Sequence, residues 1–150
     1  MDLTNNYIAV HHSNSNMFAT AFFGLLDPSD GTLLYINAGR ESPLLISNGI
    51  VKQRLDPTGP AVGMLPDMEF NLKRVPLNPG DALVLYTDGV TDARNAKDEL
   101  FSEERLIATA VNSSSSAHAH LENIVSAVDA HIAGREQYDD ITLLAVHRKV

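Results

Sequence analysis

The run Ala82-Leu-Val-Leu-Tyr86 constrains this chain most. Five apolar residues follow the turn pair Pro79-Gly80 and end at Thr87-Asp88-Gly89, which predicts a short strand buried on both faces. Such a strand needs sheet neighbours and a covering layer. Residues 18–26 give a strong strand signal, Asp27-Pro-Ser-Asp-Gly31 is turn chemistry, and 32–37 reads as the return strand. Residues 43–47 and 50–55 predict two more strands joined by Asn48-Gly49, a two-residue hairpin signal. A loop rich in Pro and Gly over 57–66 leads to a rough alternation through Phe70, Leu72 and Val75, read as a strand over 69–75.

Beyond Gly89 the period changes. Ser102 is a candidate cap for a helix whose first turn carries Glu103 and Glu104, with Leu106, Ile107, Ala110 and Val111 as its apolar face. Residues 113–116 are a serine break, and Ser116 is a second candidate cap. Leu121, Ile124, Val125, Val128 and Ile132 then form one helical stripe that stops at Gly134. Residues 141–146 predict a last strand. The order is six strands, two helices and a strand, an α+β arrangement of antiparallel hairpins covered by helices. Residues 1–17 are read as an irregular segment ahead of a domain over 18–150.

Composition narrows the function. Nineteen acidic residues against eleven basic ones give a formal net charge of −8, with the basic residues scattered. Nucleic acid is a poor partner for such a surface, whereas a divalent cation or a basic protein suits it. The absence of cysteine excludes disulfides, thiolate metal sites and a cysteine nucleophile. No stretch approaches the ~20 apolar residues of a membrane span, and residues 1–16 lack the features of a signal peptide. The expectation is a cytoplasmic chain without membrane contact.

Acids occur at two strand rims. Asp88 sits where the buried run gives way to a glycine, and Asp139 and Asp140 precede the last strand. Carboxylates on a rigid frame suit a hard divalent cation. Two bare carboxylates ~4 Å apart repel by about 4 kcal/mol at an effective dielectric of about 20, and a cation between them reverses the sign. On local signal alone, Asp88-Gly89 also reads as a simple turn and Asp139-Asp140 as a loop. His118 and His120, two apart in a helix, read as solvated, and His11 and His12 carry no assignment. Phe22, Phe23, Tyr35 and Tyr86 read as core. The serines at 13, 15 and 113–116 lack a nucleophile elbow or a partnered histidine.

Four segments together resemble the SpoIIE-type branch of the PPM (protein phosphatase 2C) family. They are Phe18-Ala-Thr-Ala-Phe-Phe-Gly-Leu-Leu-Asp27, Tyr35-Ile-Asn-Ala-Gly-Arg-Glu-Ser-Pro-Leu-Leu45, Leu85-Tyr-Thr-Asp-Gly-Val-Thr-Asp-Ala-Arg-Asn95 and Tyr138-Asp-Asp-Ile-Thr-Leu-Leu-Ala-Val146. The resemblance implies an antiparallel β-sandwich flanked by helices and a two-metal site for Mn2+ or Mg2+. It implies hydrolysis of phosphoserine or phosphothreonine in proteins by a metal-activated water. By position, Asp88 and Asp139 resemble the family's metal ligands, and Asp92 resembles an acid that some relatives use for a further, weaker metal. Asp140 is expected to shape the turn. Resemblance also implies a role in sigma-factor or two-component signalling, with a phosphorylated anti-sigma-factor antagonist as the substrate kind.

Two departures qualify the match. The family's earlier Asp-x-x-Gly-His-Gly-like motif has no counterpart before Phe18, where Asp2 is the only acid. The expectation is therefore that the N-terminal part of the domain is missing, so that this chain alone binds metal weakly and hydrolyses little. The family's Ala-Gly-His is Ala38-Gly39-Arg40 here, which makes Arg40 a candidate phosphate contact or a solvated surface arginine. The second reading is a truncated or degenerate phosphatase fold that binds a protein without catalysis. Uncovered strand edges lead to the expectation of a homodimer.

Overall fold

The computed structural model describes residues 1–12, 17–112, 116–137 and 139–150. Ser13, Ser15, the break at 113–115 and Tyr138 lie outside the described residues. Two compact units share the chain, one built from residues 1–42 and 55–77, the other from 43–54 and 78–150. Antiparallel sheets and helices make up both, so the fold is of the α+β class.

The first unit holds α1 (Asp2–His11), β1 (Ala21–Leu26), β2 (Thr32–Ala38) and β5 (Lys73–Pro76), with strand order β1-β2-β5. Register sets Gly24 opposite Tyr35. Tyr35 and Leu33 are buried on one face, and Phe22 stacks on Tyr35 with ring centroids 5.5 Å apart. Phe23, read from sequence as core, is 61% exposed, because alternation along β1 turns it away from Phe22. The strand expected over 69–75 shrinks to Lys73–Pro76. In place of the expected irregular segment, Asp2–His11 is helical. Its anchor is polar and so gave no apolar period. Asn5 is fully buried, donating to the Leu65 carbonyl at 2.9 Å and accepting from the Gly63 amide at 2.8 Å. Ile8 fills the space that a side chain at Gly63 would occupy.

The second unit holds β3 (Leu44–Ser47), β4 (Ile50–Arg54), β6 (Ala82–Tyr86), α2 (Asp88–Thr91), α3 (Ser102–Val111), α4 (Ala117–Ile132) and β7 (Leu143–His147). Strand order is β4-β3-β6-β7, which puts the apolar run at 82–86 inside the sheet. Asn48 and Gly49 both have positive φ, 51° and 73°, as a tight hairpin turn requires. Leu44, Ile46, Val84, Tyr86 and Val90 pack with Phe101, Leu106, Ala110, Ile124 and Val128 in one core. Ser116 caps α4 through its hydroxyl, which accepts from the Ala119 amide at 3.1 Å. Ser102 does not cap α3; its hydroxyl bonds Glu104 instead and lowers that carboxyl's pKa.

The buried stripe of α4 is His120, Ile124 and Val128, at i, i+4 and i+8, and Val125 is turned outward at 44% exposure. His120 is therefore buried, not solvated, while His118 stays exposed beside Glu122. The Nδ1 of buried His120 has no hydrogen-bond partner among the described residues. Burial lowers its pKa below the ordinary 6.5, nearby His147 adds to this, and a hydrogen bond to the Ala110 backbone opposes it. The unfolded chain then takes up this proton more readily than the folded one. The stabilisation is complete above pH 6.5 and is lost as the pH falls through the lowered folded value. Thermal melting between pH 7.5 and 5.5 checks this. The melting temperature of the wild type is expected to fall more steeply than that of His120→Leu.

Candidate metal centre

Asp88 and Asp139 both belong to the second unit. Strand β6 ends at Tyr86, and Thr87 continues it in extended conformation before the chain turns into α2. The expected turn at 87–89 is thus the start of a single helical turn, with Asp88 as its first residue. Strand β7 lies beside β6, with Tyr86 opposite Leu143. This pairing carries the segment just before β7 to the end of β6 that bears Asp88.

Contacts between the two segments are close. The Thr87 amide donates to the Thr142 carbonyl at 3.1 Å, and the Thr87 hydroxyl donates to the Asp140 carbonyl at 2.8 Å. A side chain at Gly89 would place its Cβ 2.5 Å from the Asp140 carbonyl oxygen and 3.3 Å from the Asp139 carbonyl carbon. Gly89 is needed here for close approach of backbone to backbone.

Asp88, Asp139 and Asp140 are exposed. One oxygen of Asp88 accepts from the Gly89 amide at 3.0 Å, and one oxygen of Asp139 accepts from the Asp140 amide at 2.7 Å. Among the described residues, no Lys, Arg or His pairs with any of the three. Asp92 follows α2, exposed, and its amide donates to the Asp88 carbonyl at 2.8 Å. The sheet therefore brings the Asp88 and Asp139 segments together, with Asp92 one helical turn away.

Arg40 lies in the first unit. Asn37, fully buried, fixes its backbone by accepting from the Arg40 amide at 2.8 Å and donating to the Arg40 carbonyl at 3.1 Å. The guanidinium donates to the Thr20 hydroxyl at 3.3 Å. Sequence reading passed over Asn37 because a buried polar anchor inside a strand has no periodic signature. It passed over Thr87 as an organising side chain because Thr-Asp-Gly reads locally as a turn.

Exposed carboxylates without cationic partners match a hard divalent cation such as Mn2+ or Mg2+ in donor chemistry. Their number falls short of a closed cage. No group of three or more His, Cys, Asp or Glu poised for a metal occurs among the described residues.

The fold is that of PP2C-type domains. The solved SiaA-PP2C domain of Pseudomonas aeruginosa superimposes with a TM-score of 0.73 at 24% identity, over 85% of this chain and 51% of that one. The chain belongs to the family described as Stage II sporulation protein E (SpoIIE), whose sequence profile matches residues 1–149. It is 46% identical over 146 residues to Protein IcfG of Synechocystis, covering 97% of this chain and 23% of that protein. It is 25% identical over 146 residues to phosphoserine phosphatase RsbU of Bacillus subtilis, covering 97% of this chain and 43% of RsbU. The chain thus spans less than half the length of either curated relative.

Proposed function

We propose that this chain is part of a metal-dependent protein serine/threonine phosphatase domain, with Asp88 and Asp139 as ligands of a shared Mn2+ or Mg2+. One observation carries the reading. Two exposed carboxylates without cationic partners occur on segments packed backbone to backbone at the end of β6. Kinship to a phosphoserine phosphatase supports the reaction class. When bound, a divalent cation supplies charge neutralisation and activation of water. The chain's own residues hold and space the carboxylates, and Asp92 offers a peripheral ligand; Arg40, in the first unit, is a separate candidate contact for the phosphate of a phosphoprotein. Substrates in sigma-factor or two-component signalling, such as an anti-sigma-factor antagonist, fit this family resemblance. A cytoplasmic setting fits it as well, and no described helix is long and apolar enough to cross a membrane.

The donor count favours completion of the site by residues outside this chain. It is also the observation that favours the second reading, a phosphatase fold that binds a regulatory protein without chemistry. Manganese-dependent release of phosphate from a phosphoserine peptide separates them. Turnover is expected from a protein that carries the whole domain and little from these 150 residues alone. A whole-domain protein without turnover contradicts the enzyme reading.

Self-association belongs to the same proposal. Strand β1 terminates its sheet, and its six residues carry no charge. Phe23 and Leu25 on it are 61% and 63% exposed. Such an edge lacks the charges that normally prevent pairing with another chain. Sedimentation of the isolated chain is expected to show concentration-dependent dimers that Leu25→Lys disperses. A monomer at all concentrations contradicts this.

A further inference from the structure

Thr87 links the segment that carries Asp88 to the segment that carries Asp139, and we propose that it is the positioning residue of the cation site. The inference rests on reading those two aspartates as cation ligands. A hydroxyl can donate one hydrogen bond and accept two. That of Thr87 donates to the Asp140 carbonyl at 2.8 Å and accepts from the Thr142 amide at 2.9 Å, so it grips both sides of Ile141. The Thr87 amide adds a third bond, to the Thr142 carbonyl at 3.1 Å. All three bonds start one residue before Asp88 and end within three residues of Asp139.

The second segment is also held by Ile141, partly buried against the core, and by the Gln137 side chain, which donates to the Asp139 carbonyl at 2.6 Å, but its hydrogen bonds to the Asp88 segment come from Thr87. Residues 139–142 precede β7, which begins at Leu143, and are not part of the ladder. Asp139 and Asp140 themselves are exposed. Two ligands on separate segments bind a cation well only if their spacing is already set when the cation arrives. Otherwise binding must also order the loop. Close contact at Gly89 limits how near the segments come, and the Thr87 hydroxyl limits how far apart they drift. Valine keeps the shape of threonine but removes both hydroxyl bonds, whereas serine keeps the hydroxyl.

The test is titration of the chain with Mn2+ alone, with amide hydrogen exchange at Thr142 measured without metal. Thr87→Val is expected to weaken Mn2+ binding about 10-fold or more and to speed exchange at Thr142. Thr87→Ser is expected to retain wild-type affinity, and melting temperatures show whether each variant is folded. Wild-type affinity in a folded Thr87→Val overturns the positioning role. If Thr87→Val does not fold, Thr87→Ser decides, and loss of affinity in a folded Thr87→Ser overturns it. The double variant Asp88→Asn, Asp139→Asn reports on the underlying reading. Undiminished binding by that variant sinks the cation site itself. Lost binding there, beside wild-type binding in Thr87→Val, sinks the positioning role alone.

Discussion

Asp88→Asn, in a protein that carries the whole domain, is expected to lower manganese-dependent hydrolysis of a phosphoserine peptide by about 100-fold or more. Changes to residues that only orient metal ligands already cost roughly 10–100-fold, so loss of a ligand costs at least as much. Asparagine keeps the shape and one carbonyl oxygen but removes the charge that offsets the cation. Asp88 is exposed and outside the packed core, so the variant is expected to fold as the wild type does. Steady-state kinetics over a range of Mn2+ concentrations check this. Part of the activity should return at high Mn2+ if the defect lies in cation binding. Full activity at low Mn2+ removes Asp88 from the site.

Gly89→Ala is expected to have the largest structural effect of any single methyl added near the site. The new Cβ would meet the Asp140 carbonyl oxygen at 2.5 Å and its carbon at 2.9 Å. Both are backbone atoms, which cannot swing aside as the tip of a side chain can. The 139–142 segment must move away from α2, with loss of the Thr87 bonds. Overpacking of this kind costs about 1–3 kcal/mol. Chemical denaturation is expected to show a lower midpoint, and Mn2+ binding should weaken with it. A variant with wild-type stability and wild-type Mn2+ affinity contradicts the close packing of these segments.

Much of this arrangement is legible in the chain because its signals are local and apolar. The run at Ala82–Tyr86 has neighbours on both sides, Asn48-Gly49 turns with two positive φ angles, and Ser116 caps α4. Misreadings fall where polar residues do the work of apolar ones. Asn5 anchors α1 through backbone groups of the 63–65 loop, so the helix lacks an apolar stripe. His120 takes the first position of the buried face of α4 and turns the face away from Val125. Phe23 shows the opposite case, an aromatic residue on a strand face that nothing among the described residues covers. For the site, sequence supplied the acids, but their nearness depends on β6 pairing with β7 across more than fifty residues, which no local pattern encodes. Thr87 and Gly89 acquire their roles only through that pairing.

Backbone NMR spectra of the chain, recorded as substoichiometric Mn2+ is added, test the central claim most directly. A paramagnetic ion held between the two carboxylates broadens nearby amides. Those of residues 87–92 and 139–142 are expected to fade together, at one common Mn2+ concentration. Fading of one segment while the other stays sharp, or of neither, contradicts a cation shared by Asp88 and Asp139.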